Sequence, residues 1–428
     1  MSKKIGIYTL GCRVNQYESG AIAELLRARG YEVLQTDRGC DYYIVNTCAV
    51  TSESERKSRQ TVRRMAKTGK VAVIGCASQL HGELMRLQNV IYIGGCRNKT
   101  AVVEAISADD AAEADSAVYA VCPMSGAEYE KMNVTDMGGL FSECRAYIKI
   151  EDGCNGKCSY CIIPTCRGRV RSRPFEEVIG EAKKLVCRGY KEIIAVGIEV
   201  GAYNKAPLSK LISAFSEIEG LERLRFGSLS PLVITEDFMS AAANSRNFMP
   251  HLHLSLQSCC DRVLKDMCRP YRKKDIFERV GLIRKYIPDC QLSADIIVGF
   301  PGETEEEYAE TEEAVRALKL FHVHSFPYSE RAGTKAAEMP DQVPKEVRYD
   351  RNSRLIKACE GVKNEIIGSF IGKEKSVLIE QIKNGNASGH TAEYIEAVFP
   401  AAEFKVGDTV TVEPVAFEDG VIKAKVKE

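Results

Sequence analysis

The chain has 428 residues, 45% of them hydrophobic and 28% charged, and its 59 basic residues balance its 59 acidic residues. This length predicts two or three domains, and the neutral balance confines any nucleic-acid binding to local basic patches. Seventeen cysteines occur without a predicted signal peptide or an apolar run of the ~18 residues that span a membrane, which argues against a disulfide-rich secreted protein and a membrane protein. We therefore expect a cytoplasmic protein in which clustered cysteines bind metal.

Residues 1–110 alternate between β-rich and helical runs, a pattern typical of an α/β domain with an open parallel sheet. The predicted strands are "KIGIYTL", "DYYIVNT", "VAVIG" and "VIYIG". Helical runs such as "YESGAIAELLRARG" and "SERKSRQTVRRMAKTG" separate them. Residues 111–143 are predicted to be a connector with at most a short strand or two.

A second β/α series fills residues 144–366. Its predicted strands are 145–151, 192–198, 223–229, 251–257, 292–299 and 320–328. Six such units predict a partial (β/α)6 barrel with its chemistry at the C-terminal ends of the strands. The short strands and turns of residues 367–428 predict a small antiparallel β-barrel.

Three cysteines crowd the loop that follows the first barrel strand. Cys154, Cys158 and Cys161, here called the loop triplet, have the spacing Cys-x3-Cys-x2-Cys. A structural zinc site needs four ligands, whereas three thiolates on a [4Fe–4S] cluster leave one iron open to another ligand. The spacing favours the cluster; zinc and buried thiols remain alternatives.

Three further cysteines each follow a predicted strand of the N-terminal sheet. Cys12, Cys48 and Cys76, here called the sheet triplet, should converge because the carboxyl ends of parallel strands meet at one edge. They predict a second cluster with one open iron. Cys96 follows the next strand and is a fourth candidate by the same logic.

Several segments together carry a family resemblance. They are "TLGCRVNQYES", "VNTCAVT", "IGCASQ", "IEDGCNGKCSYCIIPTCRGRVRSRP", "HLHLSLQSCCDRVLKDMCRPY", "DIIVGFPGET" and "HSFPYSERAGTKAA". They resemble the methylthiotransferases of the radical S-adenosylmethionine superfamily, over essentially the whole chain. The opening motif is most similar to the MtaB-type branch, which modifies threonylcarbamoyladenosine in tRNA. The segment "SGHTAEYIEAVF" resembles the TRAM domain, an RNA-binding barrel.

The resemblance implies two [4Fe–4S] clusters, held by the loop triplet and the sheet triplet, and leaves Cys96 out. It implies S-adenosylmethionine as cofactor, bound at the open iron of the loop cluster and cleaved by one electron. The residues expected to contact this cofactor are Gly197, Glu199, Gln257 and Gly299; Glu199 departs from the family pattern, and a merely solvated carboxylate is the alternative for it. We expect an electron donor such as flavodoxin or ferredoxin, and a sulfur source, as further partners. No catalytic residue is predicted beyond the two clusters.

Basic residues beside both triplets predict contacts with the anticodon stem-loop of tRNA. The candidates are Arg63, Arg64, Arg167 and Arg169. Residues 367–428 hold seven lysines and ten acidic residues, an unusual balance for an RNA-binding barrel. Cys166, Cys259 and Cys260 depart from the family pattern and are interpreted as packing changes.

The predicted activity is methylthiolation of carbon 2 of N6-threonylcarbamoyladenosine next to the anticodon. The alternatives are another tRNA adenosine or a ribosomal protein as substrate. A non-catalytic, metal-stabilised RNA-binding protein is the alternative from another class.

Overall fold

The computed structural model describes residues 2–111, 117–132, 134, 142, 144–418 and 420–427. Part of the predicted connector (112–116, 133, 135–141 and 143) lies outside the described residues. Within these ranges, no helix combines the length and the apolar surface needed to cross a membrane.

The N-terminal part is a parallel sheet flanked by helices. Its strands are β1 (Lys4–Thr9), β2 (Glu32–Leu34), β3 (Tyr42–Thr47), β4 (Lys70–Gly75), β5 (Val90–Gly94) and β6 (Val118–Ala120), in the order β2-β1-β3-β4-β5-β6. Its helices are α1 (Arg13–Arg27), α2 (Ser52–Met65), α3 (Cys76–His81) and α4 (Ala101–Asp110), with a 3-10 turn at Gly82–Met85. All six residues of β3 are buried, as expected for a central strand covered on both faces.

The central part contains six long parallel strands. They form two sheets, β7 (Arg145–Lys149), β10 (Glu192–Val196) and β11 (Arg223–Phe226) in one, and β12 (His251–Gln257), β13 (Gln291–Val298) and β14 (Leu320–Pro327) in the other. Isolated parallel bridges join Leu224 to Phe248 and Leu229 to Leu254, so the two sheets continue into one open, barrel-like wall. A small pair, β8 (Glu151–Asp152) and β9 (Arg171–Ser172), brackets the cysteine loop.

Helices cover the outer side of this wall. They are α6 (Phe175–Cys187), α7 (Leu208–Ser216), α8 (Glu236–Asn244), α9 (Asp261–Asp266), α10 (Lys273–Tyr286), α11 (Glu305–Ala317) and α12 (Lys345–Gly368), with 3-10 turns at Val200–Ala202, Pro231–Val233 and Lys335–Glu338. The short helix α5 (Ile163–Arg167) instead follows the cysteine loop and packs against α3 of the N-terminal part. Along β12, Leu252, Leu254 and Leu256 enter the hydrophobic core beneath the helices. The alternating residues, such as His253, are half-buried on the opposite, inner face of the wall.

The C-terminal part is a closed β-barrel of mostly antiparallel strands. The strands are β15 (Lys375–Lys383), β16 (Asn386–Thr391), β17 (Glu396–Pro400), β18 (Thr409–Glu418) and β19 (Val421–Val426), closed in the order β15-β16-β17-β19-β18. It packs against the N-terminal ends of the central strands, where Arg145 pairs with Glu380 at 2.7 Å and Arg223 donates to the Ser376 carbonyl at 3.0 Å. The expected α/β architecture with parallel sheets and a C-terminal β-rich part is thereby confirmed.

Candidate active site

The three cysteines of the sheet triplet follow three neighbouring strands. Cys12 precedes α1, Cys48 follows β3 directly, and Cys76 is the first residue of α3. Since β1, β3 and β4 lie side by side, their carboxyl ends bring the three thiols to one edge of the sheet. Burial, followed by the charge of Cys76, raises the pKa of Cys48 to about 12. Such a thiol becomes a thiolate only when a cation compensates its charge.

Two glycines make this convergence possible. Gly11 has φ +95°, and a Cβ there would lie 2.9 Å from Cys48 Sγ. Gly75 has φ +106°, and its Cβ would lie 2.5 Å from the carbonyl oxygen of Thr47. Both positions need glycine for conformation and for space. The glycines before Cys12 and Cys76 therefore belong to the geometry of the triplet.

Two more thiols reach the same place. Cys96 Sγ donates to Cys76 Sγ at 3.8 Å, and Cys166 lies close enough to Cys76 for the two thiols to shift each other's pKa. Both side chains are buried. Cys96 is a candidate from its strand position, whereas Cys166 is interpreted from the sequence only as a packing change. Its contact with Cys76 was missed because nothing in the sequence indicates how α5 packs against α3.

The loop triplet lies beyond β7, on the loop between β8 and α5. The backbone N–H of Gly156 donates to Cys154 Sγ at 3.2 Å, and Arg269 Nη1 donates to Cys158 Sγ at 3.1 Å. Burial and the neighbouring thiols Cys158 and Cys154 raise the pKa of Cys161 to about 12. Hydrogen bonds to sulfur of this kind are a standard feature of protein-bound iron–sulfur clusters.

A buried ion network connects the two triplets. Arg167, at the end of α5, is fully buried and donates to Glu18 at 3.0 Å, to Asp152 at 3.0 Å and to Cys76 Sγ at 3.4 Å. Glu18 also pairs with Lys99 and with Lys149. One guanidinium therefore joins α1, the strand before the cysteine loop and the sheet triplet.

This position corrects the interpretation of Arg167 as a phosphate contact. The side chain is 0% exposed and its donors are satisfied by protein groups, so a surface-bound tRNA cannot reach it in this structure. Arg63, Arg64 and Arg169 are exposed. Arg64 also pairs with Asp37 at 2.8 Å.

The residues expected to contact the cofactor lie at the C-terminal ends of the central strands. The backbone N–H of Glu199 donates to Glu151 Oε2 at 2.8 Å, and a Cβ on Gly197 would lie 2.8 Å from the same oxygen. Glu151 is fully buried, its Oε1 has no hydrogen-bond partner, and burial raises its pKa to about 8. Burial also raises the pKa of Glu199. Glu151 was missed, although it stands three residues before Cys154 in "IEDGC".

The glycine turn after β13 is built on a second buried acid. Gly299 has φ +69°, and its N–H donates to Glu303 Oε2 at 2.6 Å. Burial raises the pKa of Glu303 to about 7, while Arg351 pairs with it at 2.9 Å. Gln257 ends β12 with φ +67°, an uncommon conformation for a residue with a side chain. The buried Glu303 therefore fixes the conformation of the turn at the C-terminal end of β13.

A cleft of about 630 Å³ lies between the N-terminal part and the central part. Its lining includes Ile162 next to the loop triplet and Glu55 on α2, after Cys48. Arg331 lines the central side of the cleft and pairs with Glu55 at 2.6 Å. This ion pair joins the N-terminal and central parts. The cleft therefore follows the seam between α2 and the segment that comes after the loop triplet.

Comparison with known proteins identifies the family. A family model described as "Radical SAM superfamily" matches residues 148–315, and one described as "Uncharacterized protein family UPF0004" matches residues 4–94. The chain is 35% identical to the threonylcarbamoyladenosine tRNA methylthiotransferase MtaB of Bacillus subtilis (strain 168), over 95% of this chain and 93% of that one. The chain belongs to the radical S-adenosylmethionine methylthiotransferases.

Two further relatives of this methylthiotransferase extend over nearly its full length. MtaB of Thermotoga maritima is 35% identical over 99% of this chain and 97% of that protein. The tRNA-2-methylthio-N(6)-dimethylallyladenosine synthase of Fervidobacterium nodosum is 32% identical over 99% of both. Among solved structures, the radical methyltransferase TsrM of Kitasatospora setae aligns with TM-score 0.55 and 16% identity, over 79% of this chain and 77% of that chain. That likeness concerns the fold alone.

The cofactors of the methylthiotransferase are two [4Fe–4S] clusters and S-adenosylmethionine. Within the described ranges, no three His, Cys, Asp or Glu side chains are grouped as ligands of one metal ion. Each thiolate of a cluster binds a different iron, and the donor set fits: each triplet offers three thiols, and N–H groups point at Cys154 and Cys158. The unpartnered Glu151 Oε1 fits an ammonium group such as that of S-adenosylmethionine.

Proposed function

We propose that this methylthiotransferase acts on tRNA and adds a methylthio group to carbon 2 of N6-threonylcarbamoyladenosine next to the anticodon. Relatives named for that substrate, 35% identical over nearly the whole chain, support the assignment. So does the opening segment "LGCRVNQYES".

The observation that carries the proposal is the connection of two thiol triplets through Arg167. Replacing an aromatic hydrogen by sulfur needs a radical source and a sulfur donor that reach the same carbon. We assign the loop triplet to the radical cluster and the sheet triplet to the auxiliary cluster. Contacts of Arg167 with Cys76 and with Asp152, just before the loop triplet, hold the two sites side by side.

The chain's own residues would orient the cofactor. When bound, S-adenosylmethionine and the clusters supply the radical and the sulfur. Glu151 and Glu199 present carboxyl groups to the ammonium of the cofactor, and the backbone at Gly197, Gln257 and Gly299 lines the space for its remainder. Arg269 donates to Cys158 Sγ at 3.1 Å, and its positive charge opposes the burial that raises the pKa of Cys161.

The tRNA would contact the face that carries the cleft. Exposed Arg63, Arg64 and Arg169 are suited to phosphates of the anticodon stem-loop, and an unpaired base can be splayed into a pocket between the triplets. The C-terminal barrel corresponds to a TRAM-like RNA-binding domain in this proposal, although its seven lysines face ten acidic residues. An electron donor such as flavodoxin or ferredoxin and a sulfur source complete the set of partners.

Mass spectrometry of tRNA nucleosides from a strain lacking this gene tests the function. The mutant should accumulate N6-threonylcarbamoyladenosine and lose its 2-methylthio derivative, and the plasmid-borne gene should restore it. Loss of 2-methylthio-isopentenyladenosine instead would place the enzyme with the dimethylallyladenosine relatives. An unchanged nucleoside profile would contradict the tRNA assignment.

A further inference from the structure

A row of polar side chains lines the inner face of the central wall, and the site described above does not use it. His253 pairs in register with Ser293, and Ser293 pairs with His322 on the next strand. Asp295 pairs with His324 one row further along. Paired residues share a face, so these groups form a polar floor inside the wall, below the cysteine loop. We call these five residues the imidazole floor.

The imidazole floor is connected and accessible. Ser293 Oγ lies 2.8 Å from His253 Nδ1, and His253 Nε2 lies 3.1 Å from Asp295 Oδ2. The rings of His322 and His324 are 4.6 Å apart, and both residues are exposed. Partial desolvation of the ring by the surrounding wall, followed by the charge of His324, lowers the pKa of His322 to about 4 although one side of the residue faces solvent. At neutral pH its imidazole is therefore uncharged and can both donate and accept a hydrogen bond.

One cation enters the same space from the N-terminal part. Arg13, the first residue of α1, directly follows Cys12 of the sheet triplet. Its guanidinium lies 6.0 Å from the ring of Tyr147 on β7 and donates to Tyr394 Oη at 3.1 Å. The positive charge of Arg13 also lowers the pKa of His324, after burial and the charge of His253. The guanidinium and the floor therefore share one electrostatic environment.

Arg13 differs from the neighbouring arginines because no carboxylate of the described residues forms an ion pair with it. Arg145 and Arg225, which also lie against the ring of Tyr394, both pair with Glu192. Among the described residues, no carboxylate lies within ion-pair distance of Arg13. A half-buried guanidinium without a counter-ion is a ready site for an anion. Within the described part of the chain its guanidinium donates one hydrogen bond, to Tyr394, which leaves most of its five donors for a ligand.

Tyr394 holds this arrangement in place from the C-terminal barrel. Its ring stacks on His251 at 4.9 Å, and His251 Nε2 lies 2.9 Å from Ser293 Oγ of the imidazole floor. The residue adopts φ +68°, a strained conformation for a side chain of this size. The C-terminal barrel thereby closes the floor and aims the guanidinium of Arg13.

We propose that Arg13 and the imidazole floor form the subsite for the substituent on N6 of the substrate base, with Arg13 binding its carboxylate. The inference rests on the proposed function, because threonylcarbamoyladenosine carries a carboxylate, a hydroxyl and a urea there, whereas isopentenyladenosine carries only hydrocarbon. The uncharged imidazoles of His322 and His324 suit the hydroxyl and the urea carbonyl. The position of Arg13 next to Cys12 places the base beside the sheet triplet, where the sulfur is delivered.

The test compares two anticodon stem-loops with the reconstituted enzyme. One carries threonylcarbamoyladenosine and the other its primary amide, which has nearly the same shape without the charge. The wild-type KM should be at least about tenfold higher for the amide, corresponding to ~1.4 kcal/mol. Arg13→Gln should raise the KM for the acid by a similar factor and reduce the preference to within about twofold, while Arg13→Lys should retain most of it.

Controls separate this effect from misfolding and from a wrong substrate. Arg29→Gln, just beyond the far end of α1, should behave as wild type, and iron content and circular dichroism should be unchanged in all variants. Full preference for the acid in Arg13→Gln, or no preference in the wild type, would overturn the subsite while leaving the proposed function standing. A wild-type enzyme active only on isopentenyladenosine would overturn the proposed function and the subsite with it.

Discussion

Replacing Arg167 with methionine should destabilise the protein by about 3 kcal/mol, although this arginine lies in a run that resembles a surface basic patch. Methionine keeps the length of the side chain but removes the hydrogen bonds to Glu18, Asp152 and Asn15. Hydrogen bonds to charged groups contribute ~1.5–3 kcal/mol each. Lys99 and Lys149 continue to neutralise Glu18, so the total should stay well below the sum of the lost bonds.

The assay is thermal unfolding under anaerobic conditions, with Arg169→Met as the matched control. A loss of ~3 kcal/mol should lower Tm by roughly 6 °C or more, since ~1 kcal/mol corresponds to about 2–4 °C in units of 150–250 residues. The Arg169→Met variant should keep the wild-type Tm because that side chain is exposed, and it should weaken tRNA binding instead.

The pH dependence of this difference has a defined sign. Arg167 and the two lysines hold the pKa of Glu18 well below its usual range against the effect of burial. A lowered carboxyl pKa stabilises the folded state above the unfolded-state value of ~4.3 and loses that contribution as pH falls. The difference in Tm between wild type and Arg167→Met should therefore have its full size at pH 7 and shrink below about pH 4. Equal Tm values at pH 7, with tRNA binding lost in Arg167→Met as in Arg169→Met, would refute the structural role.

Three other predictions follow from the site. Alanine at all three positions of the loop triplet should lower the iron content from about eight to about four per chain, and a stable eight-iron protein lacking the sheet triplet would contradict the ligand assignment. Alanine throughout the sheet triplet should leave cleavage of S-adenosylmethionine measurable while abolishing methylthiolation; equal loss of both with the fold intact would argue against separate roles. The stability that cofactor-free Glu151→Gln gains over the wild type should be larger at pH 8.5 than at pH 5. The wild-type carboxyl has a pKa raised to about 8, so its ionisation in the folded state becomes more costly as the pH rises. Parallel stability–pH curves for the two proteins would contradict this.

The sequence predicts most of the long elements because their patterns are strong and local. The continuous apolar run of β3 and the alternation of β12 fix strand type without tertiary information. The edge strand β2 has only three residues, and β16 reads "NASGHT", so neither shows a run of strand-forming residues. Their formation depends on pairing with neighbouring strands.

The sequence predicts those residues of the candidate site whose role follows from motif spacing. It does not predict those whose role depends on how distant segments pack together. The positions of the loop triplet and sheet triplet follow from motif spacing and from strand order. Arg167 and Arg169 are indistinguishable in "RGRVRSR", yet α5 turns the first inward to Glu18 and leaves the second exposed. The buried acid Glu151 and the contact between Cys166 and Cys76 likewise arise from distant segments meeting.

The most direct measurement offers the purified, reconstituted enzyme three tRNAs that differ only in the base next to the anticodon. One carries threonylcarbamoyladenosine, one isopentenyladenosine and one plain adenosine, and mass spectrometry of the nucleosides counts the methylthio groups formed. We predict methylthiolation of threonylcarbamoyladenosine with little or none of the other two. Preference for isopentenyladenosine or plain adenosine, or no methylthiolation of any of the three by an enzyme that carries both clusters and cleaves S-adenosylmethionine, would contradict it.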